Sequence, residues 1–322
     1  MTQPRHNSCK SLKTTIVLAL AATLAACATP PFDDKAEAAV ASLYQRAAAN
    51  DRTAFTELQR QAEQGQAPAQ DRLGVAYLQG AGTAKDLALA HQWLQRAAAQ
   101  GYAPSAARLG FLYEDGVGVP ADLALARQWY QRAAQAGNAP AAYNLAQSFS
   151  SGKPETRDDT LAAHWLTQAA QAGLAPAQLN LGVLYAKGQG VPQDDSAAAH
   201  WYQAAAAQGN AKAMINLGLL YERGQGVAQD HAHARDLYQR AADLGEAGGL
   251  QLIGKQHELG LGVAQDPATA LAWYHRSAEA GNWLAAGRIS QAYQFGELGL
   301  AKDKALADQW YKKYIELQQR QP

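Results

Sequence analysis

The chain is poor in several things, and each shortage excludes a class of protein. Of its 322 residues only Cys9 and Cys27 are cysteine. Two thiols build neither a disulfide scaffold nor a cysteine-ligated zinc site. Neither sign of charge is in excess, since 28 basic residues balance 28 acidic ones and charged residues make up only 17% of the chain. A nucleic-acid binder needs a basic face to neutralise phosphates, so that class is disfavoured. The apolar stretch from Thr14 to Ala26 falls short of the roughly 20 residues that cross a bilayer. What is abundant is apolar content, at 48%, which is enough to bury a core and argues against disorder.

The first residues read as a targeting segment. Arg5, Lys10 and Lys13 form a positive start with no acid before Cys27, and the short apolar stretch ends Leu24-Ala25-Ala26-Cys27. Charge, apolar run and small residues in that order mark a secretory signal peptide. The ending resembles the bacterial lipobox, which implies cleavage after residue 26 and lipidation of Cys27. Removal of residues 1–26 leaves three more acids than bases and no free thiol other than the acylated one. Several acyl chains on one residue hold a protein stably to a membrane. In the signals this one resembles, an acid after the cysteine favours the inner membrane. Ala28 in that place implies the outer membrane, facing the periplasm. Residues 27–35, with Pro30 and Pro31, form a tether.

The remainder is one repeated unit. Glycine recurs at 65, 101, 137, 173, 209, 245 and 281, spaced by 36 each time. Leu73-Gly74-x-x-Tyr77 returns at Leu109-Gly110, Leu181-Gly182 and Leu217-Gly218, each followed by its tyrosine. Trp93, Trp129, Trp165, Trp201 and Trp273 share a register, and Trp310 is one residue late. A fixed period of this size signals stacked supersecondary units. Each unit predicts two helices. Leu109 and Tyr113 lie on one face of the first helix, and Gly116-Val117-Gly118 ends it, since glycine takes the left-handed conformation without strain. Asp122 caps the second helix. Alanines there let neighbours approach, and the tryptophan is expected to fill the space between them. The Gly-x-Gly pairs lack the preceding strand and third glycine of a dinucleotide fingerprint and are turn glycines.

In order, Leu-Gly-x-x-Tyr, Gly-x-Gly-Val, Asp, Ala-x-x-Trp-Tyr and Ala-Ala-x-x-Gly resemble the Sel1-like repeat, a relative of the tetratricopeptide repeat. The resemblance implies an all-α fold: a right-handed α-solenoid of about seven 36-residue helix-turn-helix units over residues 66–317. Residues 36–65 are predicted as an N-terminal capping helix pair, because a solenoid end needs an atypical unit to hide its core. Residues 318–322 are a tail. Four units depart from the pattern: the third has Phe149 for the tyrosine and an altered loop at 152–155, the fifth has Leu237 for the tryptophan, the sixth has His257 and Gly248-Gly249, and the seventh has an extra residue between Phe295 and Asp303.

Candidate chemistry is sparse. His231 and His233 stand two apart, which does not place them on one helix face as an i, i+4 zinc pair would be. No serine or cysteine nucleophile lies at a motif spacing from a base. The expectation is therefore a non-enzymatic protein without cofactor or metal. The resemblance implies binding of another protein, with the first helix of each pair lining a concave groove. That register selects Asp71, Tyr143, Leu179, Ile215 and Gln251 from one row. Phe111, Gln147, Leu219 and Lys255 come from a second, and Glu114 and Glu222 from a third. Trp283, outside the tryptophan register, is a further contact candidate. Three roles compete: a membrane-tethered scaffold of the envelope, including polysaccharide export; an immunity protein against a secreted phospholipase toxin; and a glycan binder. Replacing Cys27 by Ser is expected to move the protein from the membrane to the soluble fraction on fractionation. Continued membrane residence would refute lipidation at Cys27.

Overall fold

The computed structural model describes residues 33–151 and 156–320. The signal segment, Cys27 and the third-repeat loop at 152–155 lie outside the described residues. Among those described, the chain forms sixteen α-helices and no strand, and no helix is long and apolar enough to cross a membrane. The helices are α1 (Asp34–Ala48), α2 (Arg52–Glu63), α3 (Ala67–Gln79), α4 (Leu87–Ala99), α5 (Ala103–Asp115), α6 (Leu123–Gln135), α7 (Ala139–Ser150) and α8 (Asp159–Gln171). They continue with α9 (Ala175–Lys187), α10 (Asp195–Ala207), α11 (Ala211–Arg223), α12 (His231–Asp243), α13 (Ala247–Leu259), α14 (Pro267–Glu279), α15 (Trp283–Phe295) and α16 (Lys304–Gln319). They divide into two compact units, residues 1–141 and 142–322.

The punctuation of each repeat is local chemistry. Every second helix of a repeat starts on an aspartate whose carboxylate accepts a backbone N–H from the first turn, as Leu125 N donates to Asp122 at 3.0 Å and Leu306 N to Asp303 at 3.0 Å. Such caps satisfy a donor that the helix leaves unpaired. Most first helices end on a left-handed glycine, such as Gly188 at φ 65° and Gly224 at φ 67°.

In the first unit, α1 and α2 cover the face of α3, burying Val40, Leu58 and Ala62 against Leu73. Helices α3 to α6 then stack in sequence order. In the second unit, α8 to α16 do the same, each first helix packing on its own second helix and that helix on the next repeat. Within each unit this is solenoid packing.

The contact that sets the spacing inside a pair is a tyrosine ring on a glycine backbone. In the second, fourth, fifth and sixth repeats the tyrosine of the second helix packs against the glycine that follows Leu or Ile in the first, and in the first repeat Leu94 takes that place on Gly74. A Cβ at Gly110 would stand 2.5 Å from Tyr130, one at Gly182 would stand 2.6 Å from Tyr202, and one at Gly218 would stand 2.5 Å from Tyr238. These tyrosines are buried. Burial pushes the Tyr202 hydroxyl pKa up to about 12 and moves Tyr238 and Tyr274 upward as well. The tryptophans are not the main filling. Trp93 and Trp165 are buried, but Trp129, Trp201, Trp273 and Trp310 are only half-buried. Cations cover three of these rings: Arg132 lies 4.6 Å from the Trp129 ring centre, Arg276 lies 4.3 Å from that of Trp273 and Lys313 lies 4.8 Å from that of Trp310. Spacing places both aromatics near one face, and the glycine decides which of them goes deep.

The second glycine of each Gly-x-Gly turn meets the preceding helix pair. A Cβ at Gly118 would stand 2.7 Å from Leu87 at the start of α4, and one at Gly226 would collide with the backbone of Asp195. The odd Gly249 has a similar reason, since a side chain there would run into the Tyr238 carbonyl. The sixth repeat is thus shaped by close approach of α13 to α12.

Gly182→Ala tests the ring contact by its sign. In an unhindered helix the change stabilises by about 1 kcal/mol. Here overpacking against Tyr202 costs about 1–3 kcal/mol, so urea denaturation is expected to show a net loss of stability.

Candidate functional site

Three of the candidate residues lie in the first unit. Asp71, expected on the groove surface, is buried at 1% exposure. Ser105 Oγ donates to its carboxylate at 2.7 Å and Arg108 Nε at 3.1 Å, both from the following repeat. It is a link between repeats and offers no open surface. Phe111 is 49% exposed. Glu114 is exposed and accepts the Tyr130 hydroxyl at 2.7 Å.

The other nine lie in the second unit. Tyr143 is half-buried and its hydroxyl accepts from Asn180 Nδ2 at 3.3 Å. Gln147 is exposed. Leu179 and Ile215 are half-buried and pack on the core around Leu217, and Leu219 packs beside Tyr238 and Ile253. Glu222, also expected at the surface, is buried at 5% exposure. It accepts from Lys255 Nζ at 3.1 Å and from the Tyr238 hydroxyl at 3.3 Å.

Gln251, Lys255 and Trp283 come together. They line a cleft of about 500 Å³ among α13, α15 and α16, with Glu258, Leu284, Arg288, Gln291 and Tyr314. Tyr143, Gln147, Leu179, Ile215 and Leu219 do not line it.

The seventh repeat builds this cleft by two exchanges. Where the groove row has Tyr143, Leu179, Ile215 and Gln251, it has Gly287. The bare backbone there admits the Tyr314 ring, 3.0 Å from where a Cβ would stand. Where five of the other repeats have glycine and the third has Ala146, it has Ser290, whose hydroxyl donates to the Ala307 carbonyl at 2.8 Å. Without that glycine, Tyr311, the residue after Trp310, has no backbone to lie on and is 57% exposed. Tyr311 stacks on Tyr314 with ring centres 5.7 Å apart, and Tyr314 meets Trp283 at 5.5 Å. Three aromatic rings therefore stand at or beside the cleft.

One wall is ionic. Arg288 forms ion pairs with Glu258 and, at 2.6 Å, with Glu297, and the Tyr274 hydroxyl donates to Glu258. Burial raises the Glu258 carboxyl pKa. Hydrogen bonds from Arg288 and Tyr274, with the charges of Arg288 and Lys255, outweigh that and hold it below the usual range. The lining holds no serine, cysteine or histidine. Ring faces and the amides of Gln251 and Gln291 suit it to hold a ligand by stacking and hydrogen bonding. Among the described residues no cluster of three or more metal-ligating side chains is present.

Thirteen-residue helices paired at a 36-residue period define a helical-repeat protein. The family is now specific: the Sel1 repeat matches residues 67–102, 103–138, 139–174, 175–210, 211–246, 253–282 and 283–317. The chain belongs to the Sel1 repeat family. Among solved structures it is similar to c5321, a protective antigen present in uropathogenic Escherichia coli strains, at 37% identity and TM-score 0.70. That match covers 81% of this chain and 56% of the other, so the chain spans just over half the length of that protein. It is also similar to a Sel1 repeat protein from Oxalobacter formigenes, at 28% identity and TM-score 0.63 over 76% of this chain and 96% of that one. The immunity protein Pa5087 from Pseudomonas aeruginosa matches at 21% identity and TM-score 0.43, over 67% and 81% of the two chains. That likeness is too low to bear on function. Comparison with curated proteins finds no match.

Lowering the pH is expected to weaken the ionic wall. Glu258 has a depressed folded-state pKa, so its contribution is fully present above the ordinary glutamate value of 4.5 and is lost as pH falls through the lower folded value. Arg288→Gln removes the strongest opposing effect and leaves burial to act. An NMR titration of the Glu258 carboxyl should then move to higher pH, and an unmoved titration would contradict the assignment.

Proposed function

We propose that this chain is a membrane-tethered scaffold that binds a partner protein in the periplasm. Cys27 supplies the anchor, and the cleft between α13, α15 and α16 takes side chains of the partner. The observation that carries the reading is the aromatic group formed by half-buried Trp283 and Tyr314 in the cleft and exposed Tyr311 stacked on Tyr314. Accessible aromatics beside a paired arginine are the usual anchors of protein interfaces. Sel1 repeats typically bind other proteins, which supports the class of partner.

The test is capture by cross-linking in cells, with the full chain carrying a C-terminal tag. The wild type is expected to retain a stoichiometric partner that Trp283→Ala with Tyr311→Ala loses, while helical circular dichroism stays unchanged. Equal retention by both would remove the cleft from the interface, and no specific retention by either would overturn the scaffold. A single secreted hydrolase as partner would assign toxin neutralisation. Several envelope or export components would assign assembly.

A further inference from the structure

The fifth repeat breaks the pattern inside its second helix. Leu237 stands where α4, α6, α8, α10 and α14 carry Trp93, Trp129, Trp165, Trp201 and Trp273. In the first repeat, Trp93 shares one apolar cluster with Ala62, Leu73, Tyr77 and Leu89. Carried along the 36-residue register, those four positions become Ala206, Leu217, Tyr221 and His233. These four residues, with Leu237, line an open slot of about 200 Å³. The slot is therefore the room that an indole fills in the other repeat, left empty because leucine is smaller than tryptophan.

A second observation says what suits it. In three repeats an arginine three residues after the tryptophan lies over its ring, with Arg96, Arg132 and Arg276 at 4.5, 4.6 and 4.3 Å from the ring centre. Arg240 occupies the same place after Leu237 and has no ring beneath it. Its ion pair is a loose one, to Asp236 at 3.7 Å, and its side chain is 49% exposed. It also lines the slot. Opposite, Tyr221 and His233 meet edge to face at 4.4 Å and form an aromatic wall. An apolar cavity of roughly 150 Å³ takes a single aromatic ring, so this slot has room for two fused rings, and its cation offers a stacking face.

We infer that the slot is a docking site for a tryptophan side chain presented by the partner protein. This rests on the protein-binding reading above and adds a second anchor point to it, on α12. The inserted indole would lie on Leu237, against Leu217 and Tyr221 and beneath the guanidinium of Arg240. That restores from outside the packing that the other repeats supply from within.

The experiment uses the full chain and N-acetyl-tryptophanamide as probe, read by NMR of leucine methyls and histidine rings. The expected result is a saturable shift of Leu237, Leu217 and His233, which N-acetyl-leucinamide at the same concentration does not produce. Leu237→Trp fills the slot from inside, and is expected to abolish those shifts and raise the Tm. Arg240→Ala, a surface change, is expected to weaken the probe roughly two- to fivefold, the worth of an exposed cation–π contact. Absence of saturable shifts in the wild type would overturn the inference, as would shifts that persist in Leu237→Trp. A slot filled by the probe in a chain that captures no partner would sink the scaffold and leave the aromatic site standing. A captured partner with an unoccupied slot would do the reverse.

Discussion

The structure depends on one contact: a tyrosine ring laid on a glycine backbone between the two helices of a repeat. It lets the helices approach more closely than any Cβ permits, and it fixes their spacing wherever it recurs. The aspartate cap and the left-handed glycine place the helix ends, and the second turn glycine sets each repeat against the one before. None of these acts over long range. The fold is a sum of neighbour contacts, which is the physical character of repeat proteins.

Departures from the repeat pattern are where surface becomes available. Ser290 in place of glycine leaves Tyr311 outside, and Gly287 lets Tyr314 in, so one helix of the seventh repeat gathers aromatics that other repeats bury or lack. Leu237 in place of tryptophan opens a slot beneath Arg240. In both cases a rule kept by most repeats is broken by one or two residues, and the break exposes ring faces or room for them. Local conflicts of this kind mark candidate functional positions in an otherwise consistent sequence.

Much of the fold was legible in the sequence because its signals are short-range. The period, the turn glycines and the capping aspartates act within a few residues, and each stands in the structure where its spacing puts it. Depth was less legible. Tryptophan and tyrosine are adjacent in Ala-x-x-Trp-Tyr, and helical spacing does not say which lies on the glycine. Asp71 and Glu222 read as groove residues because their helix face was known. Their burial comes from Arg108 and Lys255, each in the next repeat, and no local pattern announces that pairing. Of the site, Gln251 and Lys255 were found by register, and Trp283 by standing outside it. Tyr314 was missed because the groove register draws only on the first helix of each pair, and Tyr314 stands on a second helix, α16. The glycine at 287 and the serine at 290 were the available signs of it.

The links between repeats have a consequence for how such a chain changes over time. Asp71 is held by Arg108, Glu222 by Lys255 and Glu258 by Arg288. In each case a shielded acid in one repeat is answered by a cation in its successor. A buried charge that loses its partner is costly, by about 3–5 kcal/mol. Excising the second, sixth or seventh repeat would strand an acid beside a neighbour that does not answer it. The units look interchangeable by period, yet they are ordered by these pairings. At these junctions a whole acid-and-cation couple is expected to be gained or lost at less cost than one of its members.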